Sequence, residues 1–343
     1  MSELEKKQAF TRNIIINSDD EGVRLDRWFS RHYPSLSHSY LQKMLRKGQI
    51  RLNGKRAKNN DRLVAGESIK IPSLSDISVD KVQSKYRAIS NKELKVAEEI
   101  QKQLVYKDDR ILVINKPPGL AVQGGKKVSI HLDRLLGLLK YDSQHRPKLV
   151  HRLDKDTSGI LVLARKPNVA ADLAQAFQRK EIRKVYWALV VGVPKPAEGR
   201  MEAPLEKLLA PGGEKTLVSN SGKSATTLFR TIENSGRRVS FLVLQPETGR
   251  THQLRAHCSQ VLGCPILGDG KYGGTDAHPG INGISRQVHL HARSITLPKS
   301  FSNNGKTQFF IEAPPPKHIQ VARSIFGFEQ KPDKDPFSSV RNL

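Results

Sequence analysis

A succession of short apolar runs, each closed by Pro, Gly or a polar cluster, constrains this 343-residue chain more than any other feature. Ile111 to Asn115 is one such run. Pro117-Pro118-Gly119 must stop it, because proline cannot donate to a strand ladder and glycine accommodates the turn. Others lie at Ile160 to Ala164, Val185 to Gly192, Arg238 to Pro246, Gln287 to Leu297 and Thr307 to Pro314. Their lengths and their β-branched and aromatic content read as strands. Two helical candidates stand between them. "NVAADLAQAFQRKE" places Ala171, Leu173, Ala174 and Phe177 toward a core, and "RTHQLRAHCSQV", after Gly249, places Leu254 and Val261 on an inner face. Strands outnumber helices, and the alternation is too irregular for a doubly wound sheet. The expectation is an α+β domain with a mixed, mostly antiparallel sheet and peripheral helices.

A small α/β unit precedes it. In "VRLDRWFSRHY", Leu25, Trp28 and Phe29 fall at helical spacing on one face, and Pro34 is the expected stop. "SHSYLQKMLRKGQI" predicts a second helix with Leu41, Met44 and Leu45 inward and Gly48 as its C-cap. Asn53-Gly54 is a strong hairpin turn, and Ile69 and Ile71 alternate in a strand that Pro72 closes. The domain boundaries expected are 22–75 for this unit, 76–103 for a linker and 104–328 for the large domain. The last segment, 329–343 ("EQKPDKDPFSSVRNL"), reads as a polar tail.

Charge narrows the partner. Lys and Arg number 58 against 33 acids, a formal net charge of +25. That surplus suits a polyanion, since each phosphate neutralised releases counterions. No apolar run is long enough to span a membrane, and "MSELEKKQAFTRN" lacks the apolar core of a secretory signal. Two cysteines, Cys258 and Cys264, are too few for a disulfide scaffold, so a cytoplasmic protein is expected. From Gln42 through Arg62 there are eight Lys or Arg residues and one acid, Asp61. They interleave with core positions, which favours an RNA-contacting face over a solvated tail.

Polar clusters where chemistry could sit include "HRLDKDTSGILVLARK" from His151, "IRKVYWALV", "PETGRTHQLRAH" and "QVHLHA". Metal binding is disfavoured, because His252 and His257 are five apart and His289 with His291 lacks a nearby third ligand. "GDGKYGG" does not have the spacing of a phosphate-binding P-loop. Carboxylate chemistry remains. Asp154 lies between Arg152 and Lys155, so it is expected to stay ionised, which suits a nucleophile and not a general acid. Asp156, two residues on, is a second candidate that charge and spacing alone do not eliminate.

Two resemblances extend the reading. Residues 22–72, with "RLDRWF" and "LQKMLRKGQIRLNGK", resemble the S4-type RNA-binding domain. The resemblance implies RNA contact through the second helix and the following turn, at Lys43, Arg46, Lys47, Arg51, Lys55 and Arg56. Residues 104 to about 325 closely resemble the RluA-type pseudouridine synthases, in "HRLDKDTSGILVLARK", "KVYWALV", "PETGRTHQLRAH" followed by "GCPILGDGKYG", and "VHLHARSITL". With the S4-type unit and the overall length, the chain looks like the RluC-like branch that modifies large-subunit (23S) ribosomal RNA.

That resemblance implies isomerisation of uridine to pseudouridine with no cofactor and no metal. Nothing in the sequence suggests an obligate protein partner, and a monomer is expected. Asp154 is implied as the nucleophile, attacking either C6 of the base or C1′ of the sugar. Tyr186 is implied to stack on the flipped base and assist proton removal from C5, and Arg255 to pair with Asp154. Arg152 would enter the space that the flipped nucleotide leaves, and Leu290 would wall the base. Thr157, Ser158 and Gly159 shape the loop, and His252 and His257 support structure or contact backbone.

Two other functions compete. A non-catalytic RNA-binding or ribosome-assembly protein would need only the basic unit and the net charge, but leaves an acid inside a basic motif unexplained. An RNA N-glycosidase would use the same carboxylate and release free uracil.

Overall fold

The computed structural model describes residues 12–33, 36, 38–72, 89–125, 128–210, 213–302, 307–333 and 335–337. Packing divides the chain into two units, residues 1–95 with 142–146, and residues 96–141 with 147–343.

The small unit contains β1 (Arg12–Ile15), α1 (Leu25–His32), α2 (His38–Arg46), β2 (Arg51–Leu52), β3 (Lys55–Arg56) and β4 (Ser68–Ile71). Its antiparallel sheet has the order β1-β4-β2-β3. Asn53 (φ 47°) and Gly54 (φ 78°) both take the left-handed region that a two-residue hairpin of this twist requires. Leu25, Trp28 and Phe29 pack with Leu41, Met44 and Leu45 over Ile50, Ile69 and Ile71. Each such burial stabilises by about 1.5–3 kcal/mol. Both helices carry the inner faces that their periodicity predicts, and Gly48 ends the second in a left-handed conformation (φ 67°). Pro34, the expected stop of the first helix, lies outside the described residues, as do 73–88 of the expected linker. Helix α3 (Asn91–Lys102) occupies the end of that linker, with Ala97 and Ile100 buried.

The large unit is built on a ten-stranded sheet. Its elements in chain order are β5 (Leu104–Lys107), β6 (Ile111–Lys116), α4 (Leu132–Leu135), β7 (Lys148–Leu149), β8 (Ser158–Ala164), α5 (Pro167–Gln178), β9 (Arg183–Val191) and β10 (Glu198–Glu202). A separate two-stranded hairpin follows, β11 (Leu205–Ala210) and β12 (Gly213–Val218). The chain continues through β13 (Thr226–Ser235), β14 (Val239–Pro246), α6 (Gln253–Gln260), α7 (Gly270–Gly273), β15 (Leu290–Leu297), β16 (Phe309–Glu312) and α8 (Lys317–Ile325). The sheet order is β10-β13-β14-β9-β15-β8-β6-β5, with β16 on β15 and β7 on β8. Among the described residues only the β15–β8 strand pair is parallel. The fold is the mixed, mostly antiparallel one expected from the apolar runs.

The period of two along β9 explains why its run is apolar throughout. Tyr186, Ala188 and Val190 enter one core with Leu244, Leu254 and Leu290, while Val185, Trp187 and Leu189 enter another with Phe241, Val243 and Phe328. Both faces are covered.

Three sequence readings need correction. On α5 the buried stripe is Val169, Leu173 and Ala176, with Ala171 and Ala174 exposed, because the larger Val169 sets the stripe at i, i+4, i+7. Val261 lies just past the end of α6 and is exposed, because the helix turns away there. Within the segment read as a polar tail, the described residues 335–337 pack on the large unit: Phe337 is fully buried in the Trp187 and Phe241 core, and Asp335 pairs with Arg183 at 2.8 Å. The second face of β9 needed an apolar cover, and a single phenylalanine in a polar context supplies part of it.

Candidate active site

The loop between β7 and β8 carries His151 to Thr157. The His151 ring is half-buried against Phe177 and accepts a hydrogen bond from the Val162 N–H at 2.9 Å. Burial, helped by the Lys184 charge, pushes its pKa down to about 3, so it is a neutral strut. The Thr157 N–H donates to the Asp154 carbonyl at 3.2 Å, closing a turn. The Gly119 N–H donates to the Lys155 carbonyl at 2.9 Å, fastening the loop to the residues after β6. Asp154 therefore sits on a backbone held on both sides, and its side chain keeps 17% exposure.

β8 and β15 meet where the sheet turns parallel, Ser158 opposite His291 and Gly159 opposite Ala292. Ala292 also faces Tyr186 on β9, so glycine, alanine and tyrosine lie in one row across three strands. Gly159 has φ +112°, and a Cβ there would stand 2.3 Å from the Ala292 carbonyl oxygen. The glycine of "TSG" is what lets the Asp154 loop approach β15.

A cleft of about 740 Å³ opens beside this row. Asp154, Arg152, Tyr186 and Leu290 line it together with His252 and Arg250. Residues expected at a site, from separate places in the sequence, thus share one cavity. Tyr186 and Leu290 are buried and Arg152 is exposed. Burial and the neighbouring Asp154 charge raise the Tyr186 pKa, so its phenol is neutral at physiological pH.

Arg255 does not do what the resemblance implies. Its guanidinium donates twice to Asp269, Nε to Oδ2 and Nη2 to Oδ1, each at 2.7 Å, with both side chains buried. Its Nη1 stands 3.9 Å from Oδ2 of Asp156, and among the described residues it makes no ion pair with Asp154. The reason is electrostatic. Asp269 is fully buried and needs a bidentate partner, and the planar fork of an arginine provides one. Burial opposes the Arg255 charge, but Asp269, with Asp154 and Asp156 beyond it, holds its pKa above the usual value. The basic side chain that stands beside Asp154 is His252, whose Nε2 is 3.9 Å from Oδ1.

The sequence reading missed Lys116 and gave His252 only a supporting place. Lys116 ends β6, is fully buried, and donates to the carbonyls of Pro117, Leu120 and Lys155 at 2.8, 3.0 and 3.1 Å. Burial brings its pKa down to about 7 against the pull of Asp156 and Asp154. The available signal was a lysine at the end of an apolar run, directly before Pro-Pro-Gly. In the small unit, Lys43, Arg46, Lys47, Arg51, Lys55 and Arg56 are all exposed on the second helix and the hairpin. Among the described residues no group of three His, Cys, Asp or Glu side chains could hold a metal, and no helix is long and apolar enough to cross a membrane.

The family matches of the two units place the chain in the class of RNA-modifying isomerases. The chain matches the RNA pseudouridylate synthase family over residues 110–260 and the S4 domain over residues 23–69. It is 37% identical to the ribosomal large subunit pseudouridine synthase C of Rickettsia typhi, over 81% of this chain and 89% of that one. Its identity to the Vibrio cholerae protein of the same name is 34%, over 94% and 98% of the two chains. Among solved structures, human RNA pseudouridylate synthase domain containing 4 is similar with a TM-score of 0.58 and 28% identity, covering 70% of this chain and 98% of that chain. The chain belongs to the pseudouridine synthase family, whose members are isomerases, and it carries an S4 domain.

Proposed function

We propose that this chain isomerises particular uridines of large-subunit ribosomal RNA to pseudouridine, with Asp154 as the nucleophile. The target nucleotide leaves its stack and enters the cleft, where Tyr186 and Leu290 present flat apolar surface to the uracil. Asp154 attacks, at C1′ or at C6. The N1–C1′ bond breaks, the ring turns, C5 bonds to C1′, and the bond between Asp154 and the substrate carbon breaks to return the carboxylate. The C5 proton leaves and N1 takes up a proton, which restores the aromatic ring. The neutral Tyr186 phenol is positioned to assist that proton transfer. Arg152, exposed at the rim, fills the space left in the RNA.

The observation that carries this reading is the meeting of Asp154, Tyr186 and Leu290 in one cleft. The names of the relatives from Rickettsia typhi and Vibrio cholerae support the choice of ribosomal RNA. The exposed basic face of the small unit supports RNA capture. We place this activity in the reducing cytoplasm, in keeping with the two free, buried cysteines Cys258 and Cys264. Mapping pseudouridine in the large ribosomal RNA of cells lacking this gene tests the reading. Particular sites should revert to uridine and return on complementation. Release of free uracil by the purified protein would point to an N-glycosidase instead, and binding without any conversion to an assembly factor.

A further inference from the structure

We infer that His252 is a positioning residue for Asp154, its Nε2–H aimed at the carboxylate by a hydrogen-bond relay that begins on the β11–β12 hairpin and passes through Tyr272. The inference rests on the reading of Asp154 as the reacting carboxylate.

The Thr216 N–H on β12 can only donate, and the Tyr272 hydroxyl oxygen accepts from it at 3.0 Å. The same hydroxyl stands 2.8 Å from His252 Nδ1. In the inferred tautomer the hydroxyl donates to Nδ1, and the neutral imidazole carries its hydrogen on Nε2. Nε2 is the nitrogen that stands 3.9 Å from Oδ1 of Asp154. Burial, with the charges of Arg255 and Lys271, keeps this imidazole neutral against the opposing pull of Asp154 and Asp269.

Each member of the relay except the last is held tightly. His252 has left-handed backbone angles (φ 52°, ψ 23°), an uncommon state for a residue with a Cβ, at the N-cap of α6. Its carbonyl accepts from the Ala256 N–H at 2.9 Å. The next residue, Gln253, is buried and locked: its side-chain oxygen accepts from Thr248 Oγ1 at 2.7 Å and from the Arg250 N–H at 3.0 Å, and its amide donates to the Thr226 carbonyl at 2.8 Å. The Tyr272 ring lies beneath the cations of Arg255 and Lys215, 5.1 and 5.4 Å from its centroid. Asp269, the partner of Arg255, caps the short helix that carries Tyr272.

The final step, at 3.9 Å, is longer than a hydrogen bond. We take it to close when substrate is bound, as catalytic contacts commonly tighten only then. Once closed, the N–H engages Oδ1 and leaves Oδ2 as the attacking oxygen. The hairpin end of the relay also borders a second groove of about 250 Å³, lined by Arg152, Lys271, Thr216 and His252 together with the Lys207–Glu214 ion pair. An RNA strand in that groove and the carboxylate are thereby connected through one chain of hydrogen bonds.

The test uses the full-length protein with isotope-labelled histidine, the His252 signals being assigned by their loss in His252→Leu. The expected spectrum has a protonated, pyrrole-type Nε2 and an acceptor Nδ1, with Nε2 shifting in Asp154→Asn and the tautomers mixing in Tyr272→Phe. Kinetically, His252→Leu should lower kcat for uridine conversion about tenfold with KM within about twofold, the worth of one hydrogen bond to a charged group. His252→Gln, whose amide can reach the Nε2 position, should recover most of that loss. A protonated Nδ1 in the wild-type protein, or a folded His252→Leu with wild-type kcat, overturns the inference. The tautomer measurement stands even if His252→Leu fails to fold, since Tyr272→Phe and Asp154→Asn then assign the signals. Full conversion by Asp154→Asn would instead sink the reading of Asp154, whatever His252 does.

Discussion

Lys116 Nζ donates to the carbonyl oxygen of Lys155, the residue after Asp154, at 3.1 Å. A fully buried lysine at the end of β6 thus holds the loop that presents the carboxylate, and two further carbonyls, of Pro117 and Leu120, complete its coordination. The Asp154 loop is placed by a buried amino group under it as well as by the strand it leads into.

Lys116→Met should therefore cost about 1–3 kcal/mol, because it leaves buried carbonyls without a donor. The cost depends on pH in a definite direction. The folded-state pKa, about 7, is depressed below the usual lysine value. The contribution of this lysine is hence fully present above its unfolded pKa and is lost as pH falls toward about 7. Denaturant titrations should show a deficit of the variant that widens between about pH 6 and about pH 9. A deficit that narrows would contradict this role.

Gly159→Ala should destabilise by about 3 kcal/mol or more, since φ is +112° and the new Cβ meets the Ala292 carbonyl. The obstacle is backbone, which cannot swing aside as a side chain could. Thermal denaturation checks the prediction, and a melting temperature close to wild type would refute it.

Replacing either partner of the Arg255–Asp269 pair should be severe. Asp269→Asn or Arg255→Met leaves an uncompensated buried charge and should cost about 3–5 kcal/mol. The double variant Arg255→Met with Asp269→Leu should cost less than the sum of the corresponding single changes, which a double-mutant cycle in urea would measure. Additive losses would mean that the two groups act separately.

On the small unit, changing Lys43, Arg46 and Lys47 together to alanine should weaken RNA binding uniformly across sequences. The slope of log affinity against log salt should fall by roughly one for each phosphate that these side chains neutralise in the wild-type complex. An unchanged slope would remove them from the RNA-binding face.

Much of this was legible in the residues. Alternation and turn chemistry are local properties, so the strands of the large sheet and the Asn53-Gly54 hairpin could be read directly. Tyr186 and Leu290 could be named through resemblance, and the sheet order then explains their meeting with Asp154: β9, β15 and β8 are neighbours. Burial of charge was not legible, because it depends on which distant groups converge. Arg255 turned to Asp269, an aspartate between two glycines whose sequence context suggests only a turn. Lys116 offered no periodic signal; the resemblance gave His252 only a structural place, and its partner Tyr272 is twenty residues away. Phe337 was hidden for a related reason, since one apolar residue in a polar segment carries no pattern.

Conversion of uridine by Asp154→Asn is the most direct measurement of the central claim. The substitution keeps the shape of the side chain and removes its charge and nucleophilicity. With a fragment of large-subunit ribosomal RNA containing a mapped site, the variant should bind within about twofold of wild type and form no detectable pseudouridine under single-turnover conditions. Pseudouridine formation at the wild-type rate would show that the carboxylate of Asp154 does not carry the reaction.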